Sequence, residues 1–128
     1  MVSSLNPLEM KIGLHENVDI RRGAFGFHAT YFKYDGNQAV CDALGETICE
    51  AIHNLQDHML GNVQPSTEIW ESLEHLETVI QGSKYIHIYY VVTDMAVVIY
   101  DDDSGADYGK AQARTIREAL ALLQRKVA

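Results

Sequence analysis

The sequence predicts an α+β fold: a mostly antiparallel sheet of about four to five strands with about three helices packed on it, in the order ββ(β)ααββα. Three observations carry this. Apolar residues recur at helical spacing in some stretches, and β-branched and aromatic residues crowd others. The two kinds of stretch do not alternate one for one, as they would in a doubly wound sheet. The chain has 128 residues, of which 47% are hydrophobic and 22% charged, enough to bury a core as one domain over residues 1–128.

Residues 1–9 are expected to form a loose N-terminal arm turned at Asn6-Pro7. MKIGLH (10–15) and VDIRR (18–22) read as short strands, and FGFHATYFKY (25–34) as a longer one rich in aromatic and β-branched residues. Asp35-Gly36-Asn37 turns the chain into a helix over about 38–60, striped by Cys41, Leu44, Ile48, Ile52, Leu55 and Met59. Gly61-Asn62 ends it. Pro65-Ser66-Thr67-Glu68 opens a second helix that buries Ile69, Leu73, Leu76 and Ile80 and stops at Gly82. Residues 85–92 and 96–100 follow as a hairpin around Thr93–Met95. A last helix, over about 107–127, buries Ala113, Ile116, Leu120, Leu123 and Val127, with Gly109 and Ala113 allowing close approach to a sheet. No internal repeat, low-complexity tract or linker is evident.

The strand Ile86-His87-Ile88-Tyr89-Tyr90-Val91-Val92 is apolar or aromatic on both faces. Helices cover one face of such a strand, and the other needs a cover of its own. A partner subunit, a bound ligand or helices on both sides would each supply one, and a homodimer is expected.

Net charge is −8, unevenly spread. Residues 1–34 carry +1, residues 35–103 carry −12 with Lys84 their one basic side chain, and residues 104–128 carry +3. So acidic a middle repels nucleic acid and anionic membrane, and suits a basic protein partner. No apolar run approaches the roughly 20 residues of a membrane helix. MVSSLNPLEM lacks the basic and apolar regions of a signal peptide, so a cytoplasmic location is expected. Cys41 and Cys49, placed in one helix, stand about 12 Å apart and cannot pair there, which agrees with a reducing compartment.

Chemistry is sparse. Asp101-Asp102-Asp103 does not fit a calcium loop, because Gly105 at the turn position puts Tyr100 first and Gln112 last. The triplet, with Ser104 and Asp107, reads instead as the cap of the last helix. Glu50-x-x-His53 has the spacing of a carboxylate–histidine metal motif, but with Glu46 and Asp57 it faces away from the core stripe. Glu71 and His75 do not complete it, so no metal and no cofactor is expected. Gly23-Ala24-Phe25-Gly26 lies between strands, where it reads as a bulge or bend rather than a nucleic-acid or phosphate loop. No nucleophile elbow is present, and no base activates either cysteine. Catalytic residues are not assigned.

Two candidate surfaces remain. Tyr85, His87 and Tyr89 share one strand face, with Tyr100 and Asp102 available from the next strand. If Val92 pairs with Val97, His87 faces Asp102 and Tyr89 faces Tyr100, a ligand-binding or acid–base cluster. The acidic exterior, with Glu68, Trp70, Glu71 and Glu74, suits partner binding. The functional expectation is a small acidic, soluble binding or regulatory protein, homodimeric, acting by protein contact as an inhibitor, immunity-type protein or adaptor. The alternative is a small-molecule-binding domain or small enzyme using the Tyr/His/Asp face.

Overall fold

The computed structural model of the chain describes residues 12, 16–33, 38–60 and 72–127. They form β1 (Asn17–Gly23), β2 (Gly26–Lys33), β3 (Gln38–Gly45), α1 (Ile48–Leu60), α2 (Glu74–Val79), β4 (Lys84–Val91), β5 (Asp94–Asp101), β6 (Asp107–Ala113) and α3 (Ile116–Val127). The strands make one antiparallel sheet of 6 strands in the order β3-β2-β1-β4-β5-β6. The fold is α+β, with more strand than the sequence suggested. Outside the described residues lie the 1–9 arm, the 35–37 turn, the Gly61-Asn62 cap, the start of the second helix and, apart from Ile12, the 10–15 strand. Among the described residues no helix is long and apolar enough to cross a membrane.

Two expected helices begin later than their stripes suggest. Residues 38–45 and 107–113 are the edge strands β3 and β6. A capping sequence, Thr-Ile-x-Glu, sets each true helix start. The Thr47 hydroxyl accepts from the Glu50 amide at 3.0 Å, and the Thr115 hydroxyl from the Glu118 amide at 3.1 Å. Cys41 therefore sits on a strand and Cys49 on a helix, both as free thiols. Leu44, expected in the core stripe, points outward and is 68% exposed. Gly109 does permit a close approach, but as part of β6. Its φ is +154°, and Leu123 Cδ1 of α3 lies 3.2 Å from where a Cβ would stand.

The turns are also specific. Gly23-Ala24-Phe25-Gly26 is neither bulge nor bend: Gly23 pairs with Gly26 across a two-residue hairpin turn. Gly26 has φ +144°, and a Cβ there would collide with the Gly45 carbonyl oxygen. The second hairpin closes at Val91 and Asp94, with Val92 at φ 54°, a left-handed conformation that β-branched residues rarely adopt.

The chain does contain an internal repeat. Thr47, Ile48, Glu50, Ala51, Leu55 and Gln56 recur 68 positions later as Thr115, Ile116, Glu118, Ala119, Leu123 and Gln124. In sequence, Ser4, Leu5, Leu8, Glu9 and Ile12 recur at the same offset as Ser72, Leu73, Leu76, Glu77 and Ile80. The backbone keeps the offset. The Gly23–Gly26 closure becomes Val91–Asp94, the Ala29–Ala43 pair becomes Val97–Ala111, and the register shift at Tyr31/Phe32 becomes one at Ile99/Tyr100. The molecule is thus two β-β-β-α units joined through β1 and β4, with a pseudo-two-fold axis passing where Asp19 faces His87.

Alternation decides the faces. Val18, Ile20, Phe27, Ala29, Ile86, Ile88, Val97 and Ile99 turn to one side and are buried with Ile48, Ile52, Leu55, Leu76, Ile116, Leu120 and Leu123 of the helices. Each of the larger side chains, Ala29 apart, contributes on the order of 1.5–3 kcal/mol by leaving water. The opposite side carries Asp19, Arg21, Tyr85, His87, Tyr89, Val98, Tyr100 and Lys110. No described helix packs on it.

Candidate functional site

β1, β4 and β5 lie side by side at the middle of the open face, so their outward residues meet. Asn17, Asp19 and Arg21 of β1 stand opposite Tyr89, His87 and Tyr85 of β4. On the other flank, Tyr85 faces Tyr100 and His87 faces Val98. The expected pairing of Val92 with Val97 is therefore corrected: the two-residue turn shifts the register, and Val97 pairs with Ile88. His87 does not face Asp102, nor Tyr89 Tyr100.

The four aromatic candidates are nonetheless brought together. Ring centroids are separated by 6.0 Å for Tyr85 and Tyr100, 5.7 Å for His87 and Tyr100, 5.4 Å for His87 and Tyr89, and 6.5 Å for Tyr85 and His87. These are tilted or edge-on contacts of the kind aromatic pairs favour. Asp102 reaches the cluster only through Arg21. That guanidinium donates from Nη1 to Asp102 Oδ2 at 2.8 Å and lies 4.0 Å from the Tyr85 ring centroid.

The acid partner of His87 is Asp19, which sequence reading missed. Asp19 Oδ1 lies 2.7 Å from His87 Nδ1, and the two side chains are only 15% and 26% exposed. A carboxylate only accepts, so Nδ1 carries the proton. Asn17 Nδ2, 3.4 Å from that nitrogen, then cannot donate to it, and donates instead to Asp19 Oδ1 at 2.9 Å. In the neutral imidazole this contact selects the tautomer in which Nε2 is the acceptor, and among the described residues nothing bonds to Nε2.

Burial pushes the Tyr85 phenol above its ordinary value. The carboxylates of Asp19 and Asp102 add to that shift, and Arg21 opposes it. At the β6 margin, the Lys110 ammonium donates to the Tyr89 phenol, which holds the lysine above its ordinary value.

The aspartate triplet does not cap a helix. It builds the β5–β6 turn. Asp101 Oδ1 accepts from the Ser83 hydroxyl at 2.5 Å and from the Asp103 amide at 2.9 Å. The Asp101 carbonyl accepts from the Gly105 amide at 2.8 Å, and the Ser104 hydroxyl from the Ala106 amide at 3.2 Å. These bonds hold the Asp101 carboxyl below the usual carboxylate range, the Ser83 hydroxyl contributing most and the Asp103 amide next.

The Glu50/His53 face is turned to local bonding. Glu50 Oε1 accepts from the Glu46 amide at 3.3 Å, and His53 Nδ1 lies 3.9 Å from Cys49 Sγ. Burial and the carboxylates of Glu77 and Glu50 push that thiol up, away from thiolate character. Among the described residues no three His, Cys, Asp or Glu side chains converge as a metal site. Of the acidic partner-binding candidates, Glu74 is exposed on the first turn of α2, while Glu68, Trp70 and Glu71 lie outside the described residues. A shallow hollow of about 320 Å³ lies apart from the aromatic cluster, between β3 and the end of α1, lined by Tyr31, Lys33, Val40, Cys41, His58 and Met59.

Comparison of the chain with protein-family models, with curated proteins and with solved structures finds no match to any of the three.

Proposed function

We propose that the chain is a small binding or regulatory protein that acts by protein contact, as an inhibitor, immunity-type protein or adaptor does, and that a second copy covers its open sheet face in a homodimer. One observation carries this reading: Tyr85, Tyr89 and Tyr100 stand half-buried around the Asp19–His87 pair on a face that no described helix covers. Tyrosine supplies a large contact area at low entropic cost, and it is enriched at the centres of protein interfaces. The acidic exterior, to which Glu74 belongs, suits a basic partner bound elsewhere on the dimer.

Sedimentation equilibrium on the full chain at micromolar concentration is expected to give twice 14.4 kDa. Tyr89→Ser and Tyr100→Ser are expected to shift the species toward monomer, with thermal melts changed little. A wild type that stays monomeric up to about 100 µM, the weak end of useful affinity, overturns the homodimer.

The free Nε2 of His87 favours a second reading, a small-molecule site or small enzyme on the same face. That reading predicts a monomer whose His87 ring resonances move on addition of a ligand.

A further inference from the structure

The open face carries one continuous row of outward residues across the sheet: Asp42, Thr30, Asp19, His87, Val98 and Lys110, each opposite the next. The pseudo-two-fold axis passes through the middle of this row. It carries Asp19 onto His87 and Asp42 onto Lys110, because each pair is related by the 68-residue offset. Where the first half places a carboxylate, the second half places a base. The row is acidic at its β3 end and basic at its β6 end.

Five strand spacings of about 4.8 Å set Asp42 and Lys110 about 24 Å apart, too far to neutralise each other within one chain. Asp42 pairs with His28 at 2.6 Å but stays 63% exposed, and Lys110 is exposed beside Tyr89. A second copy can cover this face in two simple ways. Turned about an axis across the strands, it would stack Asp42 on Asp42 and Lys110 on Lys110, which like-charge repulsion opposes. Turned about an axis along the strands, it would stack acid on base at both ends of the row and Asp19 over His87 in the middle.

We propose that two copies dock by their open faces about an axis parallel to the strands, with β3 of each over β6 of the other and Asp42 of each facing Lys110 of the other. This rests on the homodimer reading and specifies its geometry. It is an isologous contact, in which one patch complements itself.

The test is charge reversal in the full chain, read as dimer dissociation constant by sedimentation, with circular dichroism confirming the fold of each variant. Asp42→Lys and Lys110→Asp are each expected to weaken the dimer about tenfold or more, because each places like charges together twice per dimer. The double variant D42K/K110D restores opposite charges and is expected to return to within about threefold of the wild type. A wild-type dimer indifferent to either single change, or a double variant no tighter than the singles, overturns this docking and leaves the open-face dimer standing. A monomeric wild type overturns both.

Discussion

Asp101 closes the β5–β6 connection with its side chain, its carbonyl and its amide. The amide donates to the Ala106 carbonyl at 3.0 Å, and the carboxylate takes the Ser83 hydroxyl and the Asp103 amide. Those bonds favour the ionised form, so the folded-state pKa is depressed. A depressed carboxyl contributes stability that is present above its unfolded value, about 3.9, and is lost as pH falls through the lower folded value. Asp101→Asn is therefore expected to lose stability near neutrality and to show a shallower further loss below about pH 4, measured as urea midpoints across that range. The sequence marked this triplet as a place where amides are capped, and assigned the amides to the wrong element. An Asx turn and a helix cap use the same carboxylate-to-amide bond two or three residues on. The residues that follow, Asp-Tyr-Gly-Lys-Ala-Gln-Ala, form a polar edge strand with little strand character of their own.

At the level of elements, the helix starts were present in the sequence as the two Thr-Ile-x-Glu boxes, and the apolar stripes obscured them. Each threonine hydroxyl bonds the amide three residues on, so Thr47→Ala and Thr115→Ala are each expected to cost about 0.5–2 kcal/mol in chemical denaturation. Ser104→Ala, outside any helix, is expected to cost less. The aromatic half of the candidate site was legible, because Tyr85, His87 and Tyr89 alternate along one strand and Tyr100 follows on its hairpin partner. The Asp19 and Arg21 half was not. These residues reach the cluster through the pairing of β1 with β4, and no local pattern encodes a register between strands so distant in sequence. The hairpin register failed for a nearer reason: Val92-Thr93 is not a dipeptide that signals a two-residue turn.

Over the whole molecule, the two halves share a core and differ in their outward chemistry. Val18 and Ile86, Ile48 and Ile116, and Leu55 and Leu123 fill equivalent buried positions, while Asn17, Arg21 and Phe32 are answered by Tyr85, Tyr89 and Tyr100. The repeat was hard to see because its identities gather in the helices and in the segment before β1, whereas the strands share little beyond apolar alternation. The halves are also braced together. Glu77 of α2 accepts the Ile48 amide of α1 at 2.9 Å across the two halves, while within the second half Gln124 of α3 accepts the Leu76 amide at 3.0 Å. The seam between β1 and β4 has a consequence for how the chain reaches this structure. Among the described strands every other pair joins neighbours in sequence, so loop closure falls mainly on the step that brings Asn17 beside Tyr89. Each half presents an equivalent strand at that seam, and at high concentration the half of another chain can arrive there first. Refolding from urea at about 100 µM is therefore expected to leave an exchanged dimer that survives dilution, whereas refolding at about 1 µM is not, as size-exclusion profiles after each would show. Such a dimer is joined by strand exchange through the backbone, and reversing Asp42 or Lys110 would leave it intact.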